Sequence, residues 1–338
     1  MLVSGGSIYV GDSAITYVYQ GDDLIWPIVP PTPVSGDYLT FEIISGGTIN
    51  WYLTGDRGVT KTISYSKNNG VTWNDITATT GGTSFNVNRG ERIIFKGTNS
   101  DYFCSGYTAC FSGSTAYFNL SGNLLSLIYG DEFEQYTEIT ERYTFRCLFQ
   151  STNVVSTASL SLPENVMGGC YYYMFENCVH LTSAPVLPAT TLAASCYENM
   201  FGDCTSLTTA PVLPATTLAR NCYLEMFQYT GISQAPSLPA TTLADGCYQG
   251  MFRACHNLTS APDLPASTLG TLSYSYMFMD CENLNYVKCL ATDISAYYAT
   301  SDWVNGVASS GTFVKAASMT NWPAGDSGIP SGWTIINE

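Results

Sequence analysis

From about residue 141 the chain repeats itself, and nothing else in it constrains the fold as strongly. The segment Cys170-Tyr171-x-x-Met174-Phe175-x-x-Cys178 returns as Cys196-Tyr197-x-x-Met200-Phe201-x-x-Cys204. It returns again as Cys222-Tyr223-x-x-Met226-Phe227, as Cys247-Tyr248-x-x-Met251-Phe252-x-x-Cys255 and as Ser273-Tyr274-x-x-Met277-Phe278-x-x-Cys281. The steps between Phe175, Phe201, Phe227, Phe252 and Phe278 are 26, 26, 25 and 26 residues. Phe149 lies 26 before the first, so a degenerate unit starts near Arg142. Between these segments run Leu181-Thr182-Ser183-Ala184-Pro185-Val186-Leu187-Pro188-Ala189-Thr190-Thr191-Leu192 and its copies. A unit this short cannot bury its own apolar face, so its neighbours must do so. The period and the fixed leucines predict a leucine-rich repeat solenoid. Met174, Phe175 and Leu181 should form a continuous core ladder with their copies. Pro185 and Pro188 should fix bends and block edge pairing with other chains. Past residue 286 the period is lost. Trp303, Trp322 and Trp333 mark a C-terminal cap.

Upstream the pattern is that of strands. Leu39-Thr40-Phe41-Glu42-Ile43-Ile44 alternates, and Lys61–Ser66 reaches Asn68-Asn69-Gly70, a hairpin-turn signal. Val71–Ile76, Ser84–Val87 and Glu91–Gly97 follow with turn residues between them, a spacing that predicts a β-sandwich. Residues 7–26 hold short β-prone runs separated by Gly-Asp and read as a three-strand meander. So short a meander has too little core to stand alone. Its aromatics Tyr9, Tyr17, Tyr19 and Trp26 therefore need a partner, either the rest of this chain or a larger assembly. Four prolines among residues 27–33 make a stiff, extended linker, which favours the assembly.

The fold expected is thus multidomain, β plus an α/β solenoid. Its parts are a docking β-meander (1–28), a Pro-rich linker (29–37), an Ig-like β-sandwich (38–122), a leucine-rich repeat solenoid (123–290) and a C-terminal cap (291–338).

Charge narrows function by exclusion. Twelve Lys and Arg stand against 27 Asp and Glu, a formal charge of −15, which argues against nucleic acid, since phosphate contacts need cations. No apolar run reaches the roughly 18 residues that a membrane span needs. Met1–Ile8 has neither a basic n-region nor an apolar h-region, so no secretory signal is expected, and the chain reads as made in a cytoplasm.

Candidate chemistry is sparse. The 12 cysteines include no C-x-x-C pair, and Thr230 and Ser273 stand at cysteine positions in their units. Thiols that alternate with hydroxyls read as small buried packing residues; disulfides and a metal site are the lesser alternatives. Equivalent cysteines would be about 8–10 Å apart if the units were layered helices. Cys104 and Cys110 lie outside the ladder and could pair. The acidic run Asp131, Glu132, Glu134, Glu138 and Glu141 matches no EF-hand spacing and reads as a solvated cap, ahead of a calcium site. No carboxylate pair is singled out for glycoside hydrolysis. His180 and His256 stand near unit boundaries with no nucleophile motif beside them. Neither a cofactor nor a metal is expected. Tyr171, Tyr197, Tyr223, Tyr248 and Tyr274 recur without change and read as core. The positions that vary from unit to unit should lie on the surface. Of these, Tyr173, Asn199, Glu225, Tyr229 and Tyr276 are candidate ligand-binding residues. Plain solvated surface is the other reading of that face.

The Cys-Tyr-x-x-Met-Phe-x-x-Cys…Leu-Thr-x-Ala-Pro-x-Leu-Pro-Ala-Thr-Thr-Leu-Ala unit resembles that of BspA-type leucine-rich repeat proteins of gut Bacteroidales and their phages. Asn69-Gly70-Val71-Thr72-Trp73, Arg89–Phe95, Ser121–Asp131 and Asn305–Val314 resemble other parts of the same proteins. Tyr-x-Gly-Asp…Gly-Asp-x-Leu-Ile-Trp near the N-terminus resembles segments that begin phage tail or fibre proteins. The resemblance implies surface recognition of glycans or host proteins and no catalysis. Without an export signal, it points to a structural virion appendage (fibre, tail or capsid decoration). Such an appendage would dock to other virion proteins through its N-terminal segment and be homo-oligomeric in the particle. A bacterial cell-surface or secreted adhesin is the first alternative, and a glycan-active enzyme the second.

Overall fold

A computed structural model describes residues 37–52, 61–79, 81–102 and 110–338, together with the backbone of five short strands before them. Those are β1 (Leu2–Ser4), β2 (Ser7–Val10), β3 (Ser13–Ile15), β4 (Val18–Gln20) and β5 (Asp23–Trp26). β1, β2 and β3 pair antiparallel, and β4 and β5 form a separate hairpin. Five strands replace the expected three. In the sequence Gly5-Gly6, Gly11-Asp12 and Gly21-Asp22 fall between consecutive strands. Residues 29–36 of the linker, Tyr17 and Cys104 lie outside the described residues.

The alternating runs become β6 (Leu39–Ser45), β7 (Gly47–Trp51), β8 (Thr62–Ser66), β9 (Asn74–Thr77), β10 (Thr83–Val87), β11 (Arg92–Gly97) and β12 (Tyr117–Asn123). Between β8 and β9, Asn69 and Gly70 both take positive φ, 53° and 85°, as the reversal demands. The main sheet has six strands in the order β13-β12-β6-β11-β8-β9, where β13 (Val154–Ser161) comes from the repeat region and runs parallel to β12. β10 and β7 form a second, two-stranded sheet. Leu39, Phe41, Ile49, Trp51, Phe95, Phe111 and Phe118 are fully buried in this part.

The expectation of an α/β leucine-rich solenoid is overturned. The described chain holds one α-helix, the four-residue α1 (Ser126–Tyr129), and one 3-10 turn at Gly130–Gln135; all else regular is strand, and the fold is β-rich. The repeat segments are turns. Within Gly169–Cys178, Cys170, Tyr172, Met174, Glu176 and Cys178 donate their N–H to the carbonyl three residues back. Gly169, Tyr171, Tyr173, Phe175 and Asn177 donate theirs to the next unit, at Ala194, Cys196, Glu198, Met200 and Gly202. An α-helix needs every N–H to point along its own axis to residue i−4. Here every second N–H points sideways. Every fourth residue, as at 169, 173 and 177, also has positive φ, which no right-handed helix accommodates.

This hydrogen bonding sets the rise between units. Successive tyrosine rings stack 5.6–6.2 Å apart from Tyr171 to Tyr274, and phenylalanine rings 5.5–5.9 Å apart from Phe149 to Phe278. That is close to the spacing of hydrogen-bonded strands and well short of helix packing. Met174, Phe175, Leu181 and their copies, with Ile232 in the third unit, are fully buried. The tyrosine column begins on Tyr102 and Phe145, and the phenylalanine column on Phe111, so the ladder continues the core of the sheets. Both columns end on Trp303, 6.1 Å from Tyr274 and 6.3 Å from Phe278. Beyond it β14 (Tyr286–Cys289), β15 (Thr312–Lys315) and β16 (Thr334–Asn337) form a parallel sheet.

The described cysteines are buried, and Cys170, Cys178, Cys196, Cys204, Cys222, Cys247, Cys255, Cys281 and Cys289 are thiols outside any disulfide. Cys178, Cys204, Cys255 and Cys281 donate through Sγ to the carbonyl of Phe149, Phe175, Phe227 and Phe252, at 3.0–3.1 Å. Thr230 Oγ1 donates instead to Phe227 O of its own unit at 2.8 Å, so the hydroxyl fills the cysteine position but takes a different acceptor from the thiols, which reach the phenylalanine carbonyl of the preceding unit. Burial pushes the Cys170, Cys178, Cys222, Cys255 and Cys289 thiols up to about 12. Burial thus favours the protonated thiol, the less reactive form.

Candidate functional face

All five residues singled out from the sequence sit on left-handed backbone. The φ angles are 57° at Tyr173, 52° at Asn199, 53° at Glu225, 56° at Tyr229 and 56° at Tyr276. Each is anchored by its own N–H to a carbonyl of the following unit: Glu198, Leu224, Gln249, Arg253 and Ser301. Tyr173, Asn199, Glu225 and Tyr276 occupy one column. Tyr229 belongs to a second column four residues on, with Asn177, Asp203 and Asp280. Tyr229 and Tyr276 are 41% and 36% exposed, and Tyr173 and Glu225 are half-buried. Asn199, at 3%, is withdrawn from the surface that its variability suggested.

Tyr173 and Asn199 bond to one another through their side chains, tying adjacent units together. Gln228 Nε2 donates to Glu225 Oε2 at 3.3 Å, and Gln150 Nε2 to Glu176 Oε2 at 2.7 Å. The sequence reading passed over Tyr172, Glu198 and Arg146. The Arg146 guanidinium lies 4.9 Å from the Tyr172 ring centre, and the Tyr172 and Tyr173 rings meet at 4.4 Å. Glu198 is bonded by Tyr172 and Ser195. The missed signal was their place directly beside a varying column: Tyr172 and Glu198 each follow the core tyrosine of their unit.

Partial burial holds the carboxyls of Glu176, Glu198, Asp203 and Glu225 above the usual carboxylate range. At Glu225 the nearby Arg253 opposes this. Such groups keep protons in the folded chain at a pH where the unfolded chain has released them. Stability therefore falls as pH rises from their ordinary values through their folded ones. Asp131 is the reverse case, held low by hydrogen bonds from Lys96 and Tyr38, and Glu91 is held low by bonds from Asn88 and Lys67. Their contribution is lost only as pH falls below the usual carboxylate range. The expected stability profile has a maximum on the acid side of neutral, below which it drops. Thermal unfolding measured from pH 7.5 down to about pH 3 tests this; a monotonic fall from neutral downward contradicts it.

The remaining candidates are dispersed. Asp131, Glu132, Glu134, Glu138 and Glu141 are exposed, and Asp131 is paired with Lys96 at 2.7 Å. His180 Nε2 lies 3.3 Å from the Tyr117 hydroxyl, and His256 stands 4.0 Å from Glu282. A groove of about 660 Å³ between β8, β11 and the 3-10 turn is lined by Ser64, Asp75, Lys96, Tyr129 and Asp131. Among the described residues no group of three or more His, Cys, Asp or Glu is placed to hold a metal ion, and no helix is long and apolar enough to cross a membrane. The side chains of Tyr9, Tyr19 and Trp26, like Tyr17, lie outside what is described. Comparison with protein-family models, curated proteins and solved structures finds no match to this chain.

Proposed function

We propose that the chain is a non-enzymatic structural component of a phage particle that presents the left-handed columns of its turn ladder to a host-surface glycan or protein. The observation that carries this reading is the mismatch between backbone and side chain in those columns. Left-handed φ favours Gly, Asn and Asp, and costs other L-residues about 1–2 kcal/mol each. Tyr173, Glu225, Tyr229 and Tyr276 accept that cost on one repeated backbone while differing from their neighbours in the same column. Strain of this kind gathers where side chains are held for what they contact. Tyrosine offers a ring for stacking, and a half-buried carboxyl offers directed acceptors to sugar hydroxyls or a peptide. The N-terminal segment, with Tyr9, Tyr17, Tyr19 and Trp26 ahead of a Pro-rich linker, is the part assigned to docking on other virion proteins. β1–β5 pair only with one another among the described strands, consistent with a separate anchor. A bacterial cell-surface adhesin would use the same face and is the second reading.

Two arms test this. The full chain should bind intact particles, and a chain starting at Asp37 should not; equal binding, or none from either, favours the adhesin. The variant carrying Tyr173→Ala, Glu225→Ala, Tyr229→Ala and Tyr276→Ala should keep particle binding and lose at least about tenfold in affinity for host-cell envelopes, a 1.4 kcal/mol effect. Unchanged envelope binding rejects the face.

A further inference from the structure

Three of the five core tyrosines carry an unanswered hydrogen-bonding requirement. Tyr171, Tyr197, Tyr223, Tyr248 and Tyr274 are at most 1% exposed. The hydroxyls of Tyr171, Tyr197 and Tyr248 are buried and have no hydrogen-bond partner among the described residues. Neither has the buried Ser273 Oγ, which takes the cysteine position beside Tyr274. Packing does not demand these hydroxyls. Phe145 begins the same column, and the neighbouring phenylalanine column keeps the same spacing without them. A buried polar group left dry is costly, so phenol in place of phenyl in five successive units calls for a partner.

We infer that a file of water molecules is built into the ladder, one bridging each successive pair of tyrosine hydroxyls. The interval carries the argument. Ring centres of consecutive tyrosines from Tyr171 to Tyr274 lie 5.6, 5.8, 5.9 and 6.2 Å apart, and the first three pairs are within 11° of parallel. Borne on equivalent backbone, their hydroxyls repeat at about the same interval, too far to bond one another directly. An oxygen midway would be about 2.8–3.1 Å from each, the length of a hydrogen bond. A phenol both donates and accepts, and so does water, so donor and acceptor alternate along the column without conflict. The ligand must be small and neutral. The thiols beside the column, Cys170 and Cys222 among them, are pushed up to about 12 and stay uncharged, so no counter-charge is offered to an ion. One water per unit is also close to the ordinary frequency of buried water, about one per 27 residues.

The test is a sign. Tyr197→Phe, Tyr223→Phe and Tyr248→Phe, made singly and together in the full chain, should each lower Tm by about 2–4 °C, because each leaves bridging water short of a partner. A dry column predicts the opposite, since phenylalanine would remove an unmet hydroxyl; an unchanged or raised Tm overturns the inference. Phe145 already holds this place in the column, so the variants are expected to fold. A crystal structure at high resolution should show one ordered water between each successive pair of hydroxyls. Hydroxyls bonded to protein groups instead, or no water density between them, overturn it equally.

Discussion

Trp303→Ala is expected to remove about 3–5 kcal/mol of stability, the usual cost of deleting a buried tryptophan. Trp303 is fully buried and closes both ring columns. It also lies 5.6 Å from Trp322 and 6.1 Å from Phe313, joining the ladder to the parallel sheet of β14, β15 and β16. Its indole N–H donates to Gly328 O at 2.9 Å, so the substitution leaves a buried carbonyl short of a partner as well as a cavity. Because each unit bonds mainly to the next, the damage should be local. Hydrogen exchange should accelerate through roughly residues 272–338 and much less around Phe175. Denaturant unfolding gives the magnitude, and a loss below about 1 kcal/mol contradicts the closing role of Trp303.

Gly122→Ala should cost about 3 kcal/mol or more, from two sources that can be separated. Gly122 has φ 78°, a conformation that penalises any L-side chain by about 1–2 kcal/mol. It also lies in β12 between β6 and β13, where an added Cβ would sit 2.0 Å from the carbonyl oxygen of Tyr38. That neighbour is backbone, held by the Tyr38–Asn123 bridge and by the Asn123 N–H bond to Asp37 O at 2.9 Å, so it cannot step aside without opening the sheet. Gly90→Ala is the control. Its φ is 84°, but nothing lies within 4 Å of the added Cβ, so only the conformational cost should appear. Equal losses for the two variants in urea would show that the close approach to Tyr38 carries no energy.

Legibility in the sequence followed the kind of signal. Alternation placed β6, β8, β10 and β11 to within a residue or two, because a strand with one buried face must alternate. Register of the repeat likewise placed Met174, Phe175, Leu181 and their copies in the core. The backbone of the repeat was misread as an α/β solenoid because period and leucine spacing do not report φ. A sign of the turns was present. Asn199 and Asp203, and Gly246 and Gly250, put left-handed-tolerant residues four apart in two units, and Gly169 and Asn177 put them eight apart in a third. Tyr173, Glu225, Leu272 and Tyr276 in the same columns masked it, since those residue types seldom take positive φ. The candidate face was legible as variation within a fixed frame. The burial of Asn199 and the approach of Arg146 to Tyr172 were not.

The sequence by itself therefore determined which residues are equivalent, which of them are core, and how many units stack, because repetition and hydrophobicity are properties of residue order. Only the tertiary structure decided that the units join through sideways hydrogen bonds at sheet-like spacing, that varying residues ride on left-handed backbone, and that the ladder continues the core of the sheets and ends on Trp303. Those features depend on where each N–H finds its acceptor, and the acceptor is supplied by a neighbouring unit about 25 residues away, beyond the reach of any local pattern.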